Sequence, residues 1–513
     1  MVSTVDNLAT EAGVQMLRRG GSAVDAALAA NAVLAVVLPN QCGLGGDLFA
    51  LVHRDGERPV ALNASGRAGS GADAEALRAQ GYTRMPPHDH VASVPVPGCV
   101  DGWVEMHRRY ARLGLEEVLE PARRYADHGF PAPPYLAQAA PKVAATPAGP
   151  ELLPGGRLAA GDVVRRPGVG RVLAGIATEG RHGFYLGEFG EGLVALGAGE
   201  YTEDDLRRVQ ADWVDPLAAR VWGHDVWTAP PNSQGYLALS SAWMAERLEL
   251  PADPDDPLWA HLLVEAARQA AFDRPEVLHE TADGNALLSP QRLEPRLRAV
   301  SRTAVADFPH PPARGGTTYL CAVDEDGMSV SLIQSNGMSF GSRLVVGGTG
   351  VFLHNRGIGF SLAPGHPAEY GPGRRPPHTL LPVLVTRPDG GLEAVLGTRG
   401  GDSQPQVVLQ LLSRLLAHGQ DPAAALTAGR WVLRGAEDDT SFDTWGYRGS
   451  VRVALEGHVP GSWPGALRDL GHRVELEPAY DHPFGHAQII VAAPGRLTGA
   501  ADPRALSGSV GGF

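Results

Sequence analysis

Residues 23–38, AVDAALAANAVLAVVL, constrain the fold of this chain more than any other stretch. An alanine-, valine- and leucine-rich run bounded by Gly20-Gly21 and Pro39 predicts a helix that is apolar on all sides. It falls short of the roughly 20 apolar residues a bilayer crossing needs, and Asp25 and Asn31 interrupt it. The run therefore reads as a core helix, which must be enclosed by other packed elements. A chain of 513 residues with 43% hydrophobic content can supply one large core or a few ordinary ones.

The surrounding segments alternate in type. NLATEAGVQMLRR, residues 7–19, predicts a helix stopped at Gly20-Gly21. Residues 48–66 predict a hairpin around Asp55-Gly56, residues 99–130 a helical region around Trp103, Met106 and Tyr110, and residues 261–273 a strong helix. Periodicity is lost over 296–316, which ends in FPHPPARGG. Three β-patterned runs follow: TTYLCAVD, MSVSLIQS and RLVVGGTGVFLHN, the first two joined by a tight turn at EDG. With no internal repeat and no Ser/Gly linker, one continuous mixed unit is expected.

Several functions are excluded or unsupported. A net charge of −13 argues against nucleic-acid or anionic-membrane partners, which need concentrated Lys and Arg. The three cysteines, Cys42, Cys99 and Cys321, have no CxxC spacing, so neither a disulfide framework nor a zinc site is expected. The first residues lack a basic region followed by an apolar core, which predicts no secretion signal and a cytoplasmic protein. GLGGD (43–47) and GTRGGD (397–402) are glycine-rich but match no phosphate loop, and alone they read as turns. HDH at 88–90 lacks a partner helix motif, no G-x-S-x-G elbow is present, and no metal or cofactor is called for.

Read in order, GGSAVDAALAANAVLAVVLPNQCGLGGDLFALV, SVPVPGCVDGW, YTEDDL, APPNSQG, HLLVEAARQAAFDR, TTYLCAVDEDGMSVSLIQSNGMSFGS, GTGVFLHNR and GAADPR resemble the γ-glutamyltranspeptidase family of N-terminal-nucleophile hydrolases over nearly the whole chain. The resemblance implies an α+β, four-layer αββα sandwich. It also implies a precursor that cuts itself between Gly316 and Thr317, giving a large chain, 1–316, and a small chain, 317–513, that form one domain. Thr317 would then be the nucleophile. A threonine hydroxyl needs an adjacent base, and a new α-amine of pKa about 7.7–8.0 can be that base. On the same resemblance Gly400 and Gly401 supply the oxyanion donors, and Ser335 stands where the family has a threonine bonded to the nucleophile.

The substrate side departs from the family pattern. Arg67 matches the arginine that binds the glutamate α-carboxylate, with Ala68 in place of the usual acidic neighbour. The aspartate that pairs with the α-ammonium is replaced by Gly359, the asparagine two residues beyond the auxiliary threonine by Gly337 beside Asn336, and the family's Ser-Ser pair by His378-Thr379, which are expected to line the pocket. The implied activity is hydrolysis or transfer of a γ-glutamyl or similar acyl group from a small-molecule amide. The alternative is an acylase or amidase acting on a dicarboxylate mono-amide without an α-amine, of cephalosporin-acylase or oxamate-amidohydrolase type. A catalytically idle scaffold is a third reading, against which Thr317, Gly400 and Gly401 argue. The two chains are each other's partners, and a homodimer is compatible with the resemblance.

Overall fold

A computed structural model describes residues 1–306, 316–434 and 451–513, so most of the loop before Thr317 lies outside the described residues. The apolar run forms the helix Ala23–Val37, with every residue buried. Each of its two polar residues is hydrogen-bonded through one side-chain oxygen. The Asp25 carboxylate accepts from the Ser22 N–H (2.8 Å) in a capping box and from the Arg112 N–H (2.8 Å), and Asn31 Oδ1 accepts from the Trp103 indole at 2.7 Å. No helix among the described residues is long and apolar enough to cross a membrane.

Two antiparallel sheets form the centre. The first has seven strands in the order Ser509–Gly511, Val2–Thr4, Gly316–Val323, Ser329–Gly337, Asp47–His53, Val60–Ala64 and Asp212–Val214. The second has six: Arg496–Ala501, Ala487–Ala493, Leu392–Thr398, Val383–Thr386, His224–Thr228 and Leu217–Val221. Side-chain alternation along each strand separates three cores. On Gly316–Val323, Leu320 and Ala322 face the helices Asn7–Arg18, Ala23–Val37, Cys99–Tyr110 and Leu115–His128. Tyr319, Cys321 and Val323 face the other way and pack between the sheets with Ile333, Val395 and Ile490. The outer face of the second sheet is covered by Tyr236–Arg247, Pro257–Ala271 and Gln404–Leu412. The layers run helix, sheet, sheet, helix, the expected α+β sandwich.

Local differences from the sequence reading have simple causes. The helical region 99–130 is two helices, Cys99–Tyr110 and Leu115–His128, parted at Gly114. RLVVGGTGVFLHN forms only two short paired strands, Val345–Val346 and Val351–Phe352. Gly348 (φ +78°) and Gly350 (φ +67°) turn the chain between them.

Candidate active site

Thr317 is the second residue of the third strand of the first sheet and is fully buried. It shares the parity of Tyr319 and so belongs to the face turned toward the second sheet. Its Oγ1 donates to Ser335 Oγ at 3.2 Å. A register shift between Gln334 and Gly337 lets the Gly337 N–H donate back to Ser335 Oγ at 2.8 Å, which fixes that hydroxyl.

Opposite, the strand Leu392–Thr398 ends close by. A Cβ on Gly397 would lie 2.4 Å from the Tyr319 ring, so the two sheets touch here without space for a side chain. Three residues on, Gly400 (φ +142°) and Gly401 (φ +57°) make a backbone turn that L side chains rarely adopt, then lead into the helix Gln404–Leu412. The Ser403 hydroxyl donates to the Gly400 carbonyl (2.8 Å) and Gln234 Nε2 to the Gly401 carbonyl (2.9 Å), holding the turn. The Gln404 amide, oriented to donate to the Thr379 carbonyl at 3.0 Å, accepts from the Gly401 N–H at 3.3 Å.

Two cavities meet at Met338. A smaller one of about 380 Å³ includes Gly400, Ser403, Tyr135 and Arg399 in its wall. A larger one of about 800 Å³ includes Thr379, Gly359, Arg356, Arg274 and Phe360. Thr379 thus lines the larger cavity, whereas His378 lies behind it, fully buried against Phe49 with ring centroids 5.0 Å apart. Arg67 lines neither cavity. Its guanidinium donates to Asp212 Oδ2 at 2.7 Å, and Arg375 joins the same carboxylate at 2.8 Å.

The structure brings forward two residues that the sequence reading passed over. Asp47, the last residue of GLGGD, is fully buried and paired in register with Ser335. Its Oδ1 accepts the Gly66 N–H (3.0 Å) and the Gly98 N–H (3.2 Å), and Oδ2 accepts His378 Nε2 at 3.2 Å. The Leu380 N–H donates to His378 Nδ1 (3.2 Å), which places the ring proton on Nε2, facing Asp47. His354 Nδ1 lies 3.7 Å from Oδ2 while its Nε2 donates to the Pro95 carbonyl at 2.8 Å. Burial keeps both histidines neutral, bringing His378 down to about 3. Burial also works against the Asp47 charge, but the hydrogen bonds from His378 and the Gly66 amide outweigh it and hold the carboxyl at about 2.

The second is Arg356. Fully buried in the cavity wall, it donates from Nη1 to Thr379 Oγ1 at 2.7 Å. Burial lowers its pKa to about 9, with Asp47 and Asp402 pulling the other way.

Residues 9–512 match the model of the family described as gamma-glutamyltranspeptidase. The chain belongs to that family. The glutathione hydrolase-like YwrD proenzyme of Bacillus subtilis is 35% identical over all of this chain and 98% of its own length. The oxamate amidohydrolase proenzyme of Klebsiella pneumoniae is 34% identical over 98% of this chain and 97% of its own. The cephalosporin acylase structure from Bacillus halodurans superposes with a TM-score of 0.90 at 33% identity, covering 100% of this chain and 95% of that one. As a γ-glutamyltranspeptidase-family amidohydrolase, the protein has a distinctive backbone at position 359. A Cβ on Gly359 would sit 2.3 Å from the Pro377 carbonyl oxygen, so main chain fills the space through which an acidic side chain would leave. Gly359→Asp is expected to destabilise the protein by about 1–3 kcal/mol through overpacking, and to leave any preference for γ-glutamyl over glutaryl amides unimproved. Thermal melting and paired anilide assays check both; a stable variant with a new γ-glutamyl preference would contradict this.

Proposed function

We propose that the chain is a self-processing amidohydrolase whose nucleophile is Thr317. Cutting between Gly316 and Thr317 would give a large chain, 1–316, and a small chain, 317–513, that remain folded as one unit. The observation that carries this reading is the Thr317 hydroxyl, 3.2 Å from a Ser335 hydroxyl fixed by a backbone amide, on the face turned toward the sheet whose strand Leu392–Thr398 leads into the glycine turn at 400–401.

In the cut enzyme the Thr317 α-amine takes the hydroxyl proton, directly or through water. Oγ1 bonds to the amide carbonyl carbon, the C–N bond breaks, and the ammonium returns the proton to the departing amine. Water, or an acceptor amine, then attacks the ester, releasing an acid or a new amide and restoring Thr317. The Gly400 and Gly401 amides are the oxyanion donors, each lowering the barrier by roughly 3 kcal/mol. The Gly401 N–H contact with Gln404, at 3.3 Å, is longer than an ordinary N–H···O bond, so an oxyanion can replace it. Mass measurement of active material is expected to find a polypeptide beginning at Thr317; full activity without one would overturn the reading.

For the acyl group, hydrolysis or transfer of a γ-glutamyl unit is the family's activity. The crowding of Gly359 by Pro377 favours the other reading, an acyl group without an α-ammonium, in keeping with the oxamate and cephalosporin relatives. Glutaryl anilide is expected to be cut with at least about tenfold higher kcat/KM than γ-glutamyl anilide, since a charge-assisted bond to the ammonium is missing. A preference for the γ-glutamyl compound would reverse this assignment.

A further inference from the structure

We infer that Arg356, braced by Thr379, is the receptor for a carboxylate at the far end of the acyl group, and that Arg67 is not. The inference rests on the Thr317 reading and names the substrate class of that same site: mono-amides of short dicarboxylic acids.

The larger cavity is built for an anion. Arg356, Arg274 and Arg84 line it together with His88 and His366, and no Asp or Glu is among its described lining residues. Arg274 is tied to Asp402 at 3.3 Å, and Asp402 is the neighbour of Gly401. Arg356 is fully buried and is held by a neutral hydroxyl: Thr379 Oγ1 accepts from one of its nitrogens, which orients the planar guanidinium. A preoriented fork of N–H donors suits a carboxylate, which it can bind through two parallel bonds.

The same residues tie this receptor to the reacting end. Gln234 Nε2 donates to both the Thr379 carbonyl and the Gly401 carbonyl, at 2.9 Å each. The brace of Arg356 and the glycine turn that would hold the oxyanion therefore share one side chain, which would set the spacing between bound carboxylate and scissile carbonyl. Arg67 has no such connection, because its guanidinium is bound to Asp212 outside both cavities. Loss of the ammonium site at Gly359 and presence of a cation at Arg356 act in one direction, since both select an acyl group that is purely anionic at its far end.

The test compares glutaryl and pentanoyl p-nitroanilides, which differ in the terminal carboxylate, on the parent enzyme and on Arg356→Gln, Arg356→Lys and Arg67→Ala. The parent is expected to favour the glutaryl compound in kcat/KM by about tenfold or more. Arg356→Gln is expected to abolish that ratio, mainly through KM, Arg356→Lys to restore part of it, and Arg67→Ala to preserve it. Glutarate itself should raise the melting temperature of the parent by about 2 °C or more at saturation, and that of Arg356→Gln by less. A cut, active parent whose preference survives Arg356→Gln, or is lost in Arg67→Ala instead, overturns the inference. So do equal parent rates on the two anilides. Failure of the Thr317 reading looks different: the parent stays uncut and hydrolyses neither compound, and the inference falls with it.

Discussion

Replacing Thr317 by alanine is expected to leave one 513-residue chain on a denaturing gel and to lower amide hydrolysis by about four orders of magnitude or more. Both losses come from one oxygen. In the proposed maturation the hydroxyl would attack the Gly316 carbonyl and the peptide bond would become an ester, which frees the amine that later serves as base; water would then split the ester. Alanine has no oxygen for the first step and therefore never gains the base for the second. Thr317→Ser keeps the oxygen and is expected to be cut and active, more slowly, because the methyl group that restrains the rotamer is gone. Ser335→Ala removes only the partner at 3.2 Å and is expected to cost about ten- to a hundredfold in both rates. Circular dichroism and melting of each variant separate these effects from misfolding. An alanine variant that yields the same fragments as the parent would remove Thr317 from the mechanism.

Asp47→Ala is expected to destabilise the protein by about 3–5 kcal/mol, since it strands buried donors that have no route to water. The donors are the Gly66 and Gly98 amides and His378 Nε2. Asp47→Asn preserves the shape but turns an NH₂ toward at least one of them, so a large fraction of the loss should remain. The pH dependence has a definite sign. Its folded-state pKa of about 2 lies below the ordinary 3.8, so the carboxylate stabilises the fold fully above about pH 4 and loses that contribution as pH falls toward 2. Over that window the melting temperature of the parent should drop further than that of Asp47→Asn. Equal slopes, with equal stability at pH 7, would show that Asp47 carries no such burden. Activity should fall as well, because His378 is bonded to Asp47 and Thr379 follows it in the wall of the larger cavity.

Local pattern made the strand that carries Thr317 and the enclosed helix legible. Alternation in TTYLCAVD assigns Tyr319, Cys321 and Val323 to one face, where they pack between the sheets, and the uniform apolarity of residues 23–38 has no stable home but a core. Asp47 was illegible for the opposite reason. Its partners lie 19, 51 and 331 residues away, and nothing in GLGGD distinguishes a turn from the anchor of a buried network. Arg356 was masked by its neighbour: the family pattern draws attention to position 359, where a carboxylate is missing, and away from the cation three residues earlier. Arg67 shows the reverse, a side chain whose position in a motif is readable but whose partner, Asp212, is not.

The strand order has a consequence for what happens after scission. Gly316–Val323 is hydrogen-bonded on one side to Val2–Thr4 and on the other to Ser329–Gly337, while Val2–Thr4 is itself wedged against Ser509–Gly511. The two polypeptides would be interleaved like fingers of clasped hands, and severing one bond loosens none of them. Neither piece could be swapped between molecules or titrated away by dilution; a chaotrope should melt the pair in a single step.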